Sequence, residues 1–202
     1  MQTRDPSQSQ QILKGCYRLE RMIGKGGMAT VYRAQHMGLK LPVAIKMLSS
    51  DLQQNLHIRE RFLREARLQF TLKHPNIVPV TDYIDEEDQV GYVLEWIDGI
   101  DLKEWFEQRN NPLSPTELWN IVAPIILGVG FAHKKGVVHR DLKPSNILLQ
   151  KEGDELIPKI ADFGIAKQME EKSALSTSVG SSMGTLAYMA PEQIDDSKSI
   201  NH

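Results

Sequence analysis

A single cysteine, Cys16, occurs in 202 residues, so no intrachain disulfide can form and no cysteine-based metal site is available. A reducing, cytoplasmic setting is the natural expectation. Charge of one sign is not in excess either: 24 basic and 26 acidic residues leave a formal net charge of −2. Without a global positive field, nothing is present to hold a nucleic-acid backbone or an anionic membrane, and nucleic acid is not an expected partner. A membrane-length apolar run is missing. The longest, Ile121 to Ala132, carries Pro124 and two glycines and is shorter than the roughly 20 residues a span requires, so it reads as a buried helix and no membrane segment is expected. The start, Met1 to Gln11, is rich in Gln and Ser without an apolar signal core, so export is not indicated, and residues 1–15 are expected to form a disordered tail. No internal repeat is present. What remains, 41% hydrophobic and 25% charged residues, is enough for one large or two small cores in a soluble protein.

Strand signals dominate the first half. Tyr17 to Ile23 and Thr30 to Gln35 are β-branched and aromatic runs separated by Gly24, Gly26 and Gly27, and Val43 to Leu48 follows as a third strand entered through Pro42. Ile58, Phe62, Ala66 and Phe70 recur every four residues, which makes an apolar stripe on a helix that Pro75 ends. Two more strands are expected around Ile77 to Ile84 and Gln89 to Trp96. Helices then take over. Asp101 with Glu104, and Ser114 with Glu117, have capping-box spacing, and Pro115 stands at the first helical position of the second. Lys134, Lys135 and Gly136 close that helix, and Pro124 inside it should kink it. Asn146 to Leu149 and Ile157 to Ile160 bracket a polar turn and read as a hairpin. A strand-rich front and a helix-rich back, divided near Ile97 to Gly99, imply two lobes with a ligand-binding cleft.

Four short patterns carry chemistry. Gly24-Lys25-Gly26-Gly27-Met28-Ala29-Thr30-Val31 joins two strands, where glycines let backbone N–H groups approach phosphate oxygens; a plain hairpin turn is the competing reading. Val43-Ala44-Ile45-Lys46 sets an ammonium on an apolar strand, which requires a partner or a ligand. Glu65, beside the buried stripe, is the nearer partner and Glu60 the weaker one, against the alternative of a solvated helix face. His139-Arg140-Asp141-Leu142-Lys143-Pro144-Ser145-Asn146 offers a carboxylate to take a proton and a neutral amide oxygen to bind a cation. Asp162-Phe163-Gly164 follows the hairpin with a second carboxylate.

These patterns, in this order and from about Cys16 onward, resemble the serine/threonine protein kinase catalytic domain of the eukaryotic type found in bacteria, with Ala29 in place of the third loop glycine. The resemblance implies an α+β, bilobal fold: an antiparallel sheet with one helix as the N-lobe, 16–97, and a mainly helical, incomplete C-lobe, 98–202. It implies transfer of the ATP γ-phosphate to Ser or Thr hydroxyls of protein substrates, with Mg²⁺ as the metal. By that likeness Asp141 is the catalytic base, Lys143 steadies the transferred phosphate, and Asn146 and Asp162 hold magnesium, while His139 is structural. Ile23, Gly24, Gly26, Gly27, Val31, Ala44, Lys46, Glu65, Leu94, Glu95, Ile97 and Asp162 would surround the nucleotide, Leu94 bordering adenine with the Glu95 and Ile97 backbones bonding the base. Ser173, Ser176, Thr177, Ser178, Ser181 and Ser182 lie in what resembles an activation segment ending at Ala190-Pro191-Glu192, with Arg140 placed to pair a loop phosphate and Thr185 resembling a substrate-site threonine. Autophosphorylation there, in a transient homodimer, is the implied regulation. The family continues through further helices after Glu192, so a truncated lower lobe with uncovered apolar surface on the helix Ser114 to Lys135 is expected. The rival reading is therefore a nucleotide- or partner-binding module that does not catalyse; a small-molecule phosphotransferase fits Lys143-Pro144 and the Gly184 to Glu192 run less well.

Overall fold

The computed structural model describes residues 11–86, 88–163 and 187–188. The chain divides into two compact units, Met1–Arg67 with Val80–Trp96, and Leu68–Pro79 with Ile97–His202. Residues 68–79, expected within 16–97, thus pack with the later part of the chain. The reason lies in backbone bonds: Ile77 bridges Ile160, Ile160 N–H donates to the Asn76 carbonyl (2.8 Å) and Val78 N–H to the Ile160 carbonyl (2.9 Å).

The first unit is a six-stranded antiparallel sheet with one helix. In chain order its strands are β1 (Ile12–Leu13), β2 (Tyr17–Lys25), β3 (Ala29–His36), β4 (Leu41–Leu48), β5 (Val80–Glu86) and β6 (Gln89–Glu95), arranged β1-β2-β3-β4-β6-β5. The fifth strand begins at Val80, later than expected, because Ile77 and Val78 spend their backbone groups on Ile160. Pro42 lies inside β4 rather than before it. Strand alternation sorts the residues. Leu13, Tyr17, Ala34, Ile45, Met47, Ile84 and Val93 make one core, while the register sets Val31 opposite Lys46 and Lys46 opposite Tyr92, with Ala44 opposite Leu94 on the other face. Helix α1 (Leu56–Phe70) starts at Asn55, whose side-chain oxygen accepts from the N–H groups of His57 (3.1 Å) and Ile58 (3.2 Å). It buries Phe62, Leu63, Glu65, Ala66 and Gln69; Phe70, expected in the stripe, is exposed. The burial period runs at i, i+3, i+4 and i+7 from Phe62, so position 70 falls off the buried face.

Residues 12–15 are not a tail. Leu13 is fully buried, which stabilises by roughly 1.5–3 kcal/mol, and hydrogen bonds and an ion pair tie the same residues to a distant strand. Those bonds join opposite ends of the strand order and curl the sheet: Lys14 Nζ meets Asp82 (2.7 Å) and donates to the Tyr83 carbonyl (3.2 Å), Lys14 N–H donates to Glu86 (3.1 Å), and the Tyr17 hydroxyl donates to Asp82 (3.0 Å). Residues 1–10 of the expected tail lie outside the described residues.

The second unit holds the three-stranded sheet β7 (Gly99–Asp101), β8 (Ile147–Glu152) and β9 (Glu155–Ile160), with helices α2 (Leu102–Glu107) and α3 (Pro115–Lys134). Gly99 is required where β7 meets β8, because a Cβ there would collide with the Leu149 carbonyl. Asp101 caps α2 by accepting from Glu104 N–H (2.9 Å). Ser114 and Glu117 form a reciprocal capping box on α3, and the Ser114 bonds, followed by that of Arg109, hold the Glu117 carboxyl down to about 2. The core comprises Leu72, Ile77, Leu102, Ile121, Ala132, Val137, Ile147, Leu149, Ile160 and Phe163.

Helix α3 bears on two expectations. It is 20 residues long and runs unbroken through Pro124, so by length and composition it could cross a membrane, a test that core helices also pass. Ile121, Gly128 and Ala132 form its covered stripe, while Trp119, Ile126 and Leu127 are exposed, in line with the uncovered apolar surface expected on this helix.

Two outcomes follow for stability. Ser114→Ala should cost about 1 kcal/mol through loss of the cap, read by chemical denaturation. The clasp should show in pH dependence. Burial pushes the Asp82 carboxyl up, but the Lys14, Tyr83 and Tyr17 hydrogen bonds outweigh it and leave it below its ordinary 3.8, while the Asp82 bond raises Lys14 above 10.5. A lowered carboxyl stabilises above its unfolded value and loses that as pH falls; a raised amine stabilises below its unfolded value and loses that as pH rises. The melting-temperature gap between wild type and Asp82→Asn should be widest between about 3.8 and 10.5 and narrow outside that window.

Candidate active site

Two groups of functional side chains are built, one in each unit. In the first, β4 carries Lys46 and α1 carries Glu65, and Lys46 Nζ lies 3.9 Å from Glu65 Oε1. Glu65 is only 2% exposed, whereas Glu60 is exposed, so the structure puts Glu65 beside the lysine and removes the solvated-face alternative for it. A buried ion pair adds little net stability, because desolvation cancels most of the attraction, yet losing one partner costs about 3–5 kcal/mol. Such a pair signals a task rather than a scaffold.

The glycine-rich turn lies between β2 and β3. Gly24 pairs with Val31, and Gly26 N–H donates to the Ala29 carbonyl (2.8 Å). Neither glycine has a positive φ, and a Cβ would meet nothing closer than 3.9 Å at Gly24 or 3.5 Å at Gly26 among the described residues. The fold itself does not demand glycine at these two positions, which is what a backbone kept bare for a ligand looks like. Gly27 and Ile23 are exposed beside them. Ala29, the departure from the family pattern, is the buried first residue of β3, paired with Leu48 and without positive φ, so no glycine is needed there. Val31, Ala44 and Leu94 share the sheet face of Lys46 through the register, Glu95 ends β6 opposite Val43, and Ile97 is buried in the second unit.

The second group is a hydrogen-bonded loop. Asn146 Nδ2 donates to the Asp141 carbonyl (2.8 Å) and to Asp141 Oδ2 (3.1 Å), and Lys143 Nζ lies 3.0 Å from the same Oδ2. The Asp141 carboxylate is thereby held from two sides. With its amide nitrogen so engaged, Asn146 turns its oxygen, a hard donor, to the other side of the same carbon. His139 is 3% exposed and acts as a brace. Its Nδ1 accepts from Asp141 N–H (3.3 Å), so the ring hydrogen sits on Nε2 and is donated to the Ala161 carbonyl (3.0 Å), with the Phe163 ring packed 4.6 Å away. Ala161 N–H in turn donates to the Asn146 carbonyl (2.8 Å), which seats Asp162 next to the loop. Arg140 (φ 63°) and Asp162 (φ 53°) both occupy the left-handed region, strain of roughly 1–3 kcal/mol that surrounding bonds must hold. Asp141, Lys143, Asn146 and Asp162 are therefore brought together. Among the described residues no cluster of three His, Cys, Asp or Glu is present, but one amide oxygen and one carboxylate fit magnesium, which takes few protein oxygens and completes its shell with phosphate and water.

A family model described as the protein kinase domain matches residues 17–202. The chain belongs to the protein kinase family. It is similar to the serine/threonine-protein kinase PrkC of Bacillus subtilis, 40% identical over 181 residues, which cover 90% of this chain and 27% of the relative. It is likewise similar to the probable serine/threonine-protein kinase PknB of Lactococcus lactis, 40% identical over 179 residues, 88% of this chain and 27% of that one. This kinase domain thus spans about a quarter of the length of those curated relatives. Among solved structures, the Mycobacterium tuberculosis PknI kinase domain is similar at 34% identity and a TM-score of 0.63, covering 78% of this chain and 62% of that one. The kinase fold expected from the motifs is the fold observed.

Gly164, the serines and threonine of 173–182, Gly184, Thr185 and Ala190-Pro191-Glu192 lie outside the described residues; of that stretch Ala187 and Tyr188 are described and exposed. Tyr92 escaped sequence reasoning. Its hydroxyl donates to Glu65 (3.2 Å), and the available signal was its parity with Lys46, a hydroxyl-bearing ring amid the apolar run Val90 to Leu94. Asn146→Ala should destabilise the domain by about 1–3 kcal/mol in urea unfolding, because the Asp141 carboxylate would lose a donor in a partly buried loop.

Proposed function

We propose that this domain transfers the γ-phosphate of ATP to serine or threonine hydroxyls of protein substrates. The observation that carries the reading is the Asp141 carboxylate fixed between the Asn146 amide and the Lys143 ammonium. Asp141 orients the substrate hydroxyl and accepts its proton as the hydroxyl oxygen bonds the γ-phosphorus and the bond to the ADP oxygen breaks. Lys143, 3.0 Å from Asp141, offsets negative charge on the transferring phosphoryl group, and its place two residues after the aspartate supports a Ser/Thr preference, as do the names of the relatives. Lys46, positioned by Glu65, binds the α- and β-phosphates under the backbone of Gly24 to Gly27. Magnesium, when bound with the nucleotide, neutralises phosphate charge, and Asn146 and Asp162 are the residues that would hold it.

Autophosphorylation within Ser173 to Ser182, between two copies of the chain, is part of the same proposal. Mass spectrometry after incubation with ATP and magnesium should find phosphate on that segment. For the chemistry, Asp141→Asn should lower phosphate transfer to a generic Ser/Thr protein by about 10²–10⁴-fold while ATP still binds. Equal transfer by wild type and mutant would remove Asp141 from its role. ATP binding without transfer by the wild type would select the non-catalytic module instead.

A further inference from the structure

We infer that Tyr92 is a positioning residue for the Lys46–Glu65 pair, a role that rests on the kinase reading above. Contacts to Glu65, Lys46 and Phe62 meet on this one side chain. It is fully buried on β6 and stands opposite Lys46 in the strand register. Its hydroxyl donates to Glu65 Oε1 at 3.2 Å, the same oxygen that Lys46 approaches at 3.9 Å. Its ring lies 5.8 Å from Lys46 Nζ and 5.2 Å from the Phe62 ring, three residues before Glu65 on the same face of α1.

The chemistry explains why a tyrosine serves here. A carboxylate that is 2% exposed needs hydrogen-bond donors, and an ammonium at 3.9 Å is a loose one. The Tyr92 hydroxyl supplies a donor from the sheet, and its ring packs beside Phe62. Helix and sheet are thereby pinned to each other at the residue that orients the phosphate-binding lysine. The ring face adds an electrostatic hold on the ammonium. Phenylalanine would keep the packing and the ring face but lose the pin.

The experiment is a double-mutant cycle on the full chain. Mg-ATP affinity is measured by calorimetry, and melting temperature without nucleotide, for wild type, Tyr92→Phe, Glu65→Ala and the double variant. Tyr92→Phe should weaken Mg-ATP binding about three- to tenfold, the scale of one hydrogen bond to a charged group, and should lower the melting temperature. In the Glu65→Ala background the same change should leave affinity within about twofold and should not lower the melting temperature, since the hydroxyl then has no carboxylate to serve. Equal losses in both backgrounds would reduce Tyr92 to packing, and unchanged or tighter binding by Tyr92→Phe would overturn the role outright. Wild type that fails to bind Mg-ATP would instead defeat the kinase reading, while the melting cycle still tests the hydroxyl–carboxylate bond by itself.

Discussion

A carboxylate almost wholly removed from water, Glu65 on α1, is the constraint around which the first unit is arranged. Burying an ionised group costs several kcal/mol unless donors meet it, so the neighbouring elements must deliver them. The β3-β4-β6 register does so, setting Val31, Lys46 and Tyr92 in one row on one sheet face, while Ile45, Met47 and Val93 pack the opposite face. A slip of one residue in β4 would turn Lys46 into that core and Ile45 toward the helix. The apolar core therefore fixes the functional face, although no core residue does chemistry.

In the second unit the equivalent work falls to hydrogen bonds between polar side chains and the backbone. His139 and Asn146 each bond both Asp141 and the Ala161 region, so the 139–146 loop and the entry to Asp162 form one hydrogen-bonded frame on the β8–β9 hairpin. Two residues of that frame, Arg140 and Asp162, sit in left-handed conformations that the cross-bracing helps to hold. Polar side chains here act as architecture first. The Asp141 carboxylate is held by the same network, through Asn146 and Lys143.

Much of this was legible before any coordinates. Glycine spacing, the strand lysine, the catalytic-loop pattern and the Ser114 capping box are local features, written in consecutive residues whose meaning does not depend on distant partners. The misreadings share a cause. Residues 12–15 looked like a polar tail because the partners that order them, Asp82 and Glu86, lie about 70 positions away. Ile77 looked like part of a strand because its bridge to Ile160 spans a similar gap. Helix α3 showed its apolar character in sequence, but which side is covered depends on what packs there.

By itself the sequence determined most element types, their order and the residue kinds able to move a phosphate, since these follow from short-range periodicity, capping and motif spacing. Only the tertiary structure decided that Glu65 rather than Glu60 meets Lys46, that Tyr92 shares that carboxylate, and that Leu13 and Lys14 close the curled sheet. Those choices turn on strand register and helix rotation, quantities set by packing between segments far apart in the chain, and nothing in a linear string of residues states them.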